Sequence, residues 1–259
     1  MDFELKNKVI LVTGGAKGIG AAIARTCRQE GAVPVLVDRD ESAGIELQAQ
    51  LGPSGSCGLV TTDLATSENC RQAVEYALHT FGRLDALVNN AGVNDKVGLE
   101  QGSPAQYVDS LQRNLVHYYS MAHYALPHLK QSRGVIVNIG SKTAVTGQGN
   151  TSGYASSKGA IMALTREWAV ELLPYKIRVN TVIPAEVMTP LYRDWLDTFP
   201  EPESKLQSIL AKIPFGNRMT SVEEIAAMVI FLISGQSGHT TGQHVFVDGG
   251  YTHLDRALT

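Results

Sequence analysis

The chain has 259 residues, of which 44% are hydrophobic and 18% are charged, and its formal net charge is -3. This composition is typical of a globular protein, and the length suits one large α/β domain. The small negative charge gives no sign of a nucleic-acid or membrane partner, and the 7 histidines lack metal-ligand spacing. We therefore expect no nucleic acid, no membrane and no catalytic metal among the ligands.

The cysteines and the N-terminal residues indicate where the protein works. The 3 cysteines, Cys27, Cys57 and Cys70, are widely spaced and form no CxxC motif, which favours reduced thiols in a cytosolic protein. Residues 1–6 lack a basic segment followed by an apolar one, and no apolar run approaches the ~18 residues of a membrane span. We expect a cytoplasmic location.

The chain begins with a predicted strand, a glycine-rich loop and a helix. Residues 8–13 are a continuous β-branched apolar run, which is typical of a strand buried on both faces. A glycine-rich turn alone can be a plain connection, but between a strand and a helix its backbone amides can receive a pyrophosphate. The predicted cofactor-binding residues of this loop are Gly14, Lys17, Gly18, Ile19 and Gly20.

The residue that ends the second strand bears on the choice of dinucleotide. This strand, Val33 to Val37, is followed by Asp38. A carboxylate here can accept both hydroxyls of an adenosine ribose and repels a 2'-phosphate, so we expect NAD as the preferred cofactor. NADP stays possible, because the guanidinium of Arg39 beside that position can hold a 2'-phosphate.

Polar residues also follow the third and fourth strands. The third strand, Leu59 to Thr62, closes in Asp63-Leu64, where the carboxylate either meets an adenine amino group or caps a turn. The fourth strand, Ala86 to Val88, precedes two amides and a glycine, which suit a polar floor beneath a cofactor. The candidate cofactor residues of these two strand ends are Asp63, Leu64, Asn90, Ala91 and Gly92.

A long helix follows in the middle of the chain. Ser103 as N-cap and Pro104 at the first helical position predict its start. Asn114 lies on it with the same spacing as Leu111 and Tyr118, so its amide is predicted to be buried. From the residues alone, such an asparagine usually satisfies a gap in backbone hydrogen bonding.

The residues that carry the predicted chemistry lie between Ser141 and Lys158. Tyr154 and Lys158 are four residues apart at the start of a run with helical periodicity, so both lie on the first turns of one helix. An ammonium at i+4, the helix dipole and a bound cationic ring would each lower the phenol's pKa from about 10. Ser141, after strand 134–139, can hydrogen-bond the reacting oxygen. The group predicts a proton acceptor for an alcohol that loses hydride, the alternative being an ordinary helical Tyr–Lys pair.

The last third of the chain completes the predicted fold. Residues 178–183 and 243–247 are strands, and a helix opens at Ser221 between them. The segment from about 190 to 217 is irregular and rich in proline and aromatic residues, and long segments of this kind are commonly lids over sites. Strands alternate with helices throughout. The sequence therefore predicts one α/β domain over residues 1–259, a Rossmann-type doubly wound parallel β-sheet with helices on both faces.

With these residues in hand, the chain resembles the short-chain dehydrogenase/reductase family over essentially its whole length. The resemblance is carried by Thr13-Gly14, Gly18-Ile19-Gly20, Asp63, Asn89-Asn90-Ala91-Gly92, Asn114, Ser141, Tyr154, Lys158 and Asp248-Gly249-Gly250. It implies an NAD(P)-dependent oxidoreductase in which Tyr154 is the general base and Lys158 lowers its pKa and binds the nicotinamide ribose. It also implies that Ser141 holds the substrate oxygen and that Asn114 supports a water that passes the proton out.

One segment departs from the family pattern. Where the family usually has Pro-Gly after the sixth strand, this chain has Pro184-Ala185-Glu186. A carboxylate beside the nicotinamide is costly unless it is paired, so we hypothesise that Glu186 accepts hydrogen bonds from substrate hydroxyls. The alternative is that Glu186 points to solvent or caps a turn. The resemblance assigns cofactor contacts to Pro184, Glu186, Val187 and Thr189, and we expect further substrate contacts from Asn94, Lys142, Gln148 and a ring-stacking wall, Trp195.

A closer resemblance is carried by residues 89–95, 117–124, 141–154, 183–192 and 248–258. These stretches are similar to the bacterial L-fucose dehydrogenases of the family, which oxidise the anomeric carbon of the pyranose to a lactone. This resemblance implies a small sugar as substrate. The polar and aromatic tail, Tyr251 to Arg256, is expected to pack across a subunit interface, since related enzymes are commonly homotetramers. The alternative is a disordered tail.

Three other functions remain open at this stage. Another substrate of the same chemistry is a hydroxyacid, a steroid or a 3-oxoacyl thioester, although the polar residues around the predicted cleft favour a polyol. A dinucleotide-sensing protein without catalysis is a different class, and an intact Ser141, Tyr154 and Lys158 argue against it. A nucleotide-sugar epimerase would share the Tyr and Lys but usually needs a longer C-terminal region. Fold-level analogy alone decides none of these.

Overall fold

The computed structural model describes residues 2–53 and 55–255. Its strands pair in parallel as one sheet in the order β3-β2-β1-β4-β5-β6-β7. The strands are β1 (Val9–Thr13), β2 (Val33–Asp38), β3 (Gly58–Thr61), β4 (Ala86–Asn89), β5 (Val135–Ile139), β6 (Arg178–Pro184) and β7 (His244–Val247). Every predicted strand is present, with ends that differ by one residue from those expected.

Helices connect the strands and cover both faces of the sheet. They are α1 (Gly18–Gln29), α2 (Glu41–Leu51), α3 (Ser67–Phe81), α4 (Pro104–Leu111), α5 (His117–Ser132), α6 (Ser152–Glu171), α7 (Pro190–Leu196), α8 (Pro202–Leu210) and α9 (Val222–Ile233). Ser103 and Ser221 cap α4 and α9 as expected, each in a reciprocal capping box. The predicted fold class, a doubly wound single domain, is confirmed.

The core explains why residues 9–12 of the first strand are all apolar. Leu11 packs into one cluster with residues of α3, α5 and α6, whereas Ile10 and Val12 pack into a second cluster with residues of α1 and α9. Successive side chains of a strand point to opposite faces, and here both faces are covered. A polar residue at any of these positions would therefore be buried.

The order of the strands creates a crevice at one edge of the sheet. After β3 the chain crosses back to place β4 on the other side of β1. Connections from β1 and β4 thus leave in opposite directions, and ligands of such sheets bind at this switch point, at the carboxyl ends of the strands. The residues that end β1 and β4 are Thr13 and Asn89.

The segment predicted to be irregular, residues 190–217, contains two helices. Thr189 caps α7 with its side chain, and Pro190 takes the first position of this helix. Pro202 takes the first position of α8. The prolines that suggested irregular structure therefore mark helix starts. Tyr192, Trp195 and Phe199 pack edge to face with ring centroids 5.1 and 5.0 Å apart. Their spacing of three and four residues is a helical signal.

Two further features of the fold concern the predicted location. Within residues 2–53 and 55–255, no helix combines the length and the apolar character that crossing a bilayer requires. Cys27, Cys57 and Cys70 are all buried free thiols. Burial raises the pKa of Cys57 to about 12 and that of Cys70 to about 11, so neither is a reactive thiolate near neutral pH.

Candidate active site

The glycine loop between β1 and α1 lies against two other parts of the site. Gly14 and Gly18 have φ angles of 61° and 52°, in the left-handed region. A Cβ at Gly14 would lie 3.0 Å from Asn90 Nδ2, and one at Gly18 would lie 3.2 Å from Thr189 Cγ2. Only glycine allows this close approach. The loop, the end of β4 and the start of α7 therefore form one cradle.

The first turn of α1 is open to an anion. Lys17 is the N-cap of α1, but its side chain makes no capping hydrogen bond. The first amides of a helix lack intrahelical acceptors and carry the positive end of the dipole, so a pyrophosphate fits here. Asn90 Nδ2 fixes the loop by donating to the carbonyls of Thr13 and Gly14, at 3.0 and 3.1 Å. The residues present fit a bound dinucleotide.

Asp38 ends β2 beside the glycine loop. One of its carboxylate oxygens accepts a hydrogen bond from the Ala16 amide at 3.0 Å, and the other accepts from the Asp40 amide at 3.0 Å. Each carboxylate oxygen has further acceptor capacity for a ribose hydroxyl. Lys17 forms an ion pair with Asp40, and Arg39 is exposed. This end of the cradle thus presents a carboxylate held in place by backbone amides.

Asp63, at the end of the next strand, has the turn role that the sequence left open. Its carboxylate accepts from the Ala65 amide at 2.9 Å, and the side chain is exposed. Leu64 beside it is buried. A contact of Asp63 with adenine stays a prediction, because the carboxylate is still accessible.

Tyr154 and Lys158 lie on the first turns of α6, as expected. The Lys158 ammonium is 5.5 Å from the centroid of the Tyr154 ring, and only 2% of Lys158 is exposed. Lys158 Nζ donates to the Ile139 carbonyl at 2.8 Å and to Tyr118 Oη at 3.0 Å. Ser141, 8% exposed, is hydrogen-bonded to Tyr154. The structure thus brings these three predicted catalytic residues together.

The electrostatics of this group differ from the expectation for Tyr154. Burial raises the pKa of Tyr154, and the hydrogen bond with Ser141 lowers it by less. Burial also lowers the pKa of Lys158 to about 7, so its charge is only partly present at neutral pH. Desolvation disfavours the charged form of both groups. The protein groups alone therefore do not lower the pKa of the phenol.

Asn114 lies in a five-residue π-helix, Gln112–Val116, between α4 and α5. Its Oδ1 accepts from the Val93 amide at 2.7 Å, and its Nδ2 donates to the Ser110 carbonyl at 3.1 Å. The side chain is completely buried. Asn114 thus satisfies backbone groups, as its position in the sequence indicated, and its role in proton transfer stays a prediction. π-turns inside helices are frequent at functional sites.

Glu186 is paired, as its burial requires. Its carboxylate forms an ion pair with Lys142, and the side chains are 14% and 9% exposed. Tyr192 of α7 is hydrogen-bonded to Glu186, and the Tyr251 ring lies 3.9 Å from Lys142 Nζ. Burial above all, and the Glu186 charge in addition, raise the pKa of Tyr192, so its phenol stays neutral. We refer to Lys142, Glu186, Tyr192 and Tyr251 as the polar cluster.

Of the other predicted substrate residues, Trp195 reaches the cluster through its ring contact with Tyr192. Asn94 Oδ1 accepts from the Thr151 hydroxyl, next to the start of α6. Gln148 is exposed, and Trp195 is half-buried among the aromatic rings of α7. In the described part of the chain, no hydrogen bond joins Gln148 or Trp195 to the Lys142–Glu186 pair. Their contact with a substrate stays a prediction.

Sequence reasoning missed three residues of the site. Thr13 Oγ1 accepts from the amides of Asn90 and Ala91, at 2.9 and 3.1 Å, and so joins β1 to β4. Tyr118 contacts Lys158, and Tyr192 contacts Glu186. A signal existed for Tyr118, because it lies four residues beyond Asn114 and hence on the same helical face. None existed for the other two contacts.

The tail begins with contacts inside its own chain. Besides the Tyr251 contact with Lys142, the His253 ring lies edge-on to Phe246 with centroids 4.3 Å apart. Asp248 accepts from the amides of Gly250 and Thr252, both at 2.9 Å. The tail up to residue 255 is thus anchored. The predicted contribution of Arg256 lies outside the described residues.

The switch-point crevice, the amide cradle and the Ser-Tyr-Lys group define a dinucleotide-binding oxidoreductase. A family model described as enoyl-(acyl carrier protein) reductase matches residues 14–252. The chain belongs to the short-chain dehydrogenase/reductase family, whose members bind NAD(P).

Relatives in this family have several named activities. The chain is 36% identical to L-fucose dehydrogenase of Oryctolagus cuniculus over 244 residues, which cover 94% of this chain and 84% of that protein. It is 32% identical to 3-oxoacyl-[acyl-carrier-protein] reductase FabG of Thermotoga maritima over 249 residues, which cover 95% and 98%. A solved structure described as Cj0485 dehydrogenase has a TM-score of 0.95 and 46% identity, with 100% and 99% of the two chains covered.

Proposed function

We propose that the protein is an NAD-dependent sugar dehydrogenase that oxidises the anomeric carbon of L-fucose or a related aldose to the lactone. The observation that carries this proposal is the polar cluster. It places a largely buried carboxylate and a buried ammonium, Glu186 and Lys142, on the loops that also hold the predicted catalytic serine and the cofactor segment. A site with buried polar groups selects a substrate whose hydroxyls can pair with them. The likeness to an L-fucose dehydrogenase supports the same substrate class.

The proposed roles of the residues follow from their positions. When bound, NAD supplies the hydride acceptor and a positive nicotinamide ring. Ser141 donates a hydrogen bond to the anomeric oxygen, and the Tyr154 phenolate takes the anomeric hydroxyl proton as the C–H hydride leaves and the C=O bond forms. The Lys158 ammonium and the positive ring together favour the phenolate against the burial that raises its pKa. Asn114 holds the water that carries the proton away.

The preference for NAD rests on Asp38. Its carboxylate is held by the amides of Ala16 and Asp40 and repels a 2'-phosphate at the ribose position. Asp40 neutralises Lys17, which removes one cation from a potential phosphate site. Arg39 is then the one exposed cation next to Asp38 in the sequence. We expect NADP to bind, but more weakly than NAD.

Residues 190–217 are proposed to form a lid over the sugar. The α7 helix joins the polar cluster through Tyr192 and carries Trp195, whose ring packs against Tyr192 and against Phe199 beyond the helix. An aromatic face next to polar groups suits a pyranose ring, which has apolar faces and a polar edge. We propose that Trp195 forms the stacking wall, and that Asn94 and Gln148 contact hydroxyls at the rim.

The assembly is proposed to be a homotetramer. Large apolar side chains are exposed on the outer surface of α5 and α6, including Tyr119 (56%) and Val170 (67%), and Leu173 (57%) follows α6. Exposed apolar groups of this size commonly mark subunit contacts. The tail beyond Tyr251 is proposed to pack near a neighbouring subunit. If it does, truncation after Gly250 reduces activity or the size of the assembly. The buried free thiols support a cytoplasmic location.

A substrate panel tests the proposed reaction. Purified protein with NAD, and separately with NADP, is assayed against L-fucose, L-galactose, D-arabinose, L-rhamnose, a secondary-alcohol steroid and buffer, following the reduced cofactor by absorbance. We expect turnover confined to L-fucose-like sugars and faster with NAD. Turnover of an acetoacetyl thioester with NADH or NADPH, and none of any sugar, would support the second candidate, a 3-oxoacyl reductase, which the Thermotoga maritima relative favours.

The polar cluster is tested by Glu186→Gln, which keeps the shape of the side chain and removes its charge. Loss of a hydrogen bond to a charged acceptor costs about 1.5–3 kcal/mol, so kcat/KM for the best sugar should fall about 10- to 100-fold. The control is Glu224→Gln, which removes a carboxylate from the exposed Arg218 ion pair outside the site. Equal kcat/KM for Glu186→Gln and the wild type would remove Glu186 from substrate recognition.

A further inference from the structure

Tyr118 is a buried tyrosine that the family resemblance does not assign to the reaction. It lies on α5 and is completely buried. Its hydroxyl donates to the Ile139 carbonyl at 3.1 Å and accepts from Lys158 Nζ at 3.0 Å, while Lys158 Nζ also donates to the same carbonyl at 2.8 Å. The three polar atoms form a closed triangle behind the Tyr154–Lys158 pair.

We infer that Tyr118 is a positioning residue, whose hydroxyl holds the Lys158 ammonium in place beside Tyr154. Lysine has a long flexible side chain with three donor hydrogens, and a single carbonyl acceptor would leave its direction loosely defined. The triangle uses two of these hydrogens. A Cβ at Gly92 would lie 3.6 Å from Lys158 Nζ, so the Gly92 backbone lies close to the ammonium. This inference rests on the proposed roles of Tyr154 and Lys158.

The same hydroxyl also stabilises the charge of Lys158. Tyr118 donates its own proton to Ile139, so it offers Lys158 a lone pair, and an acceptor on the ammonium favours the charged form. Burial raises the pKa of Tyr118 far above its usual value, so the phenol stays neutral and is no base itself. Tyr118 therefore opposes the desolvation that lowers the pKa of Lys158 to about 7.

The other titratable groups that face Lys158 do not replace this contact. On its own helix, Tyr154 is the group whose charge Lys158 supports. On α5, His117 is affected by the Lys158 charge, and burial lowers the pKa of His117 to about 4. His117 is therefore neutral wherever Lys158 titrates. Among the described residues, Tyr118 is thus the side chain that accepts a hydrogen bond from the ammonium.

The test is Tyr118→Phe, with Tyr124→Phe as the matched control. Tyr124 lies on the same helix, and its hydroxyl pairs with Ser67 Oγ at 2.8 Å, outside the site. Loss of one acceptor should lower the pKa of Lys158 by about one unit. Less ammonium at a given pH disfavours the Tyr154 phenolate. In a plot of kcat/KM against pH, we expect the rising limb to shift to higher pH by about one unit. At a given pH on that limb, Tyr118→Phe should then be about tenfold less active than the wild type.

A second readout does not depend on turnover. NADH binding, followed by fluorescence titration, should weaken as Lys158 loses its charge, and in Tyr118→Phe this weakening should begin about one pH unit lower than in the wild type. The rising limb of kcat/KM thus shifts to higher pH, while the onset of weaker NADH binding shifts to lower pH. A packing defect does not produce opposite shifts. The inference would be overturned if neither pH profile shifted in Tyr118→Phe, or if both shifted equally in Tyr124→Phe. If no sugar is oxidised, the proposed substrate is wrong, but the NADH titration still decides the role of Tyr118.

Discussion

Gly18 has a φ of 52°, which side chains of L residues rarely adopt, and a Cβ there would approach Thr189 Cγ2 to 3.2 Å. We expect Gly18→Ala to destabilise the fold by about 1–2 kcal/mol, the cost of a left-handed residue with a Cβ. It should also weaken NADH binding at least tenfold, because the loop must move away from α7. Denaturant unfolding and fluorescence titration measure the two effects.

The matched control for Gly18 is Gly52→Ala. Gly52 follows α2 at the opposite edge of the sheet, and its φ of 123° also disfavours a side chain. This variant should lose stability and keep its NADH affinity. If Gly18→Ala bound NADH with the same affinity as the wild type, the cradle would tolerate a side chain at this position.

His117 makes the stability of the fold depend on pH. The ring is 3% exposed, its Nε2 lies 3.0 Å from the Arg113 carbonyl, and its Nδ1 has no hydrogen-bond partner among the described residues. Burial lowers its pKa from 6.5 to about 4. The contribution of the neutral His117 ring to the free energy of unfolding is complete above pH 6.5. It is lost as the pH falls through about 4, and the loss amounts to at most about 3 kcal/mol.

His117→Gln should remove this part of the pH dependence. Glutamine can donate to the same carbonyl and does not titrate. We expect the variant to lose less stability than the wild type between pH 6.5 and 4, measured by urea unfolding at each pH. Parallel stability curves for the two proteins would contradict the assignment to His117.

At the scale of elements, the π-helix 112–116 decides where the long central helix places its polar residues. It separates α4 from α5, and it contains Asn114 and immediately precedes His117 and Tyr118. A π-turn changes the angular relation between the residues on its two sides. Asn114 can therefore reach the Val93 amide while Tyr118 reaches Lys158.

The lid depends on how α7 begins. Thr189 Oγ1 accepts from the Tyr192 amide at 3.2 Å, and Pro190 follows it. Thr189→Val keeps the shape but removes the cap, which should cost about 1 kcal/mol locally. Limited proteolysis within 190–217 should then be about fivefold faster, because the opened fraction of the helix rises accordingly. Thr189→Ser keeps an acceptor, so it should be cleaved like the wild type; equal cleavage of all three proteins would argue against a marginal lid.

At the scale of the whole molecule, the exposed apolar surface of α5 and α6 predicts an assembly. Val170 is 67% exposed on α6, so the part of the chain that the structure describes leaves most of it uncovered. We expect light scattering to give the mass of four 27.9 kDa chains for the wild type and a smaller mass for Val170→Glu, because a carboxylate cannot be buried unpaired. Ile45→Glu, at a 54% exposed position on α2, should leave the mass unchanged. A wild-type monomer, or a Val170→Glu tetramer, would refute the proposed interface.

Local patterns were sufficient for the strands, for most helices and for the placement of Tyr154 and Lys158 on one helix. Apolar runs such as residues 8–13 reflect burial on both faces, and Ser103-Pro104 marks a helix start by its own chemistry. Tyr154 and Lys158 are neighbours because one helix turn relates them. The segment 190–217 was predicted to be irregular because it is rich in proline and aromatic residues, although Pro190 and Pro202 stand at helix starts.

What the sequence by itself determined is the set of contacts within one element and the strand ends that meet at the carboxyl edge of a parallel sheet. Only the tertiary structure decided the contacts between elements: Lys142 with Glu186, Tyr118 with Lys158, and Thr13 with Asn90. It also decided that burial raises the pKa of Tyr154. The reason is physical. Desolvation and pairing depend on what surrounds a side chain in space, and these surroundings come from residues far away in the chain, as Asn90 is 77 positions from Thr13.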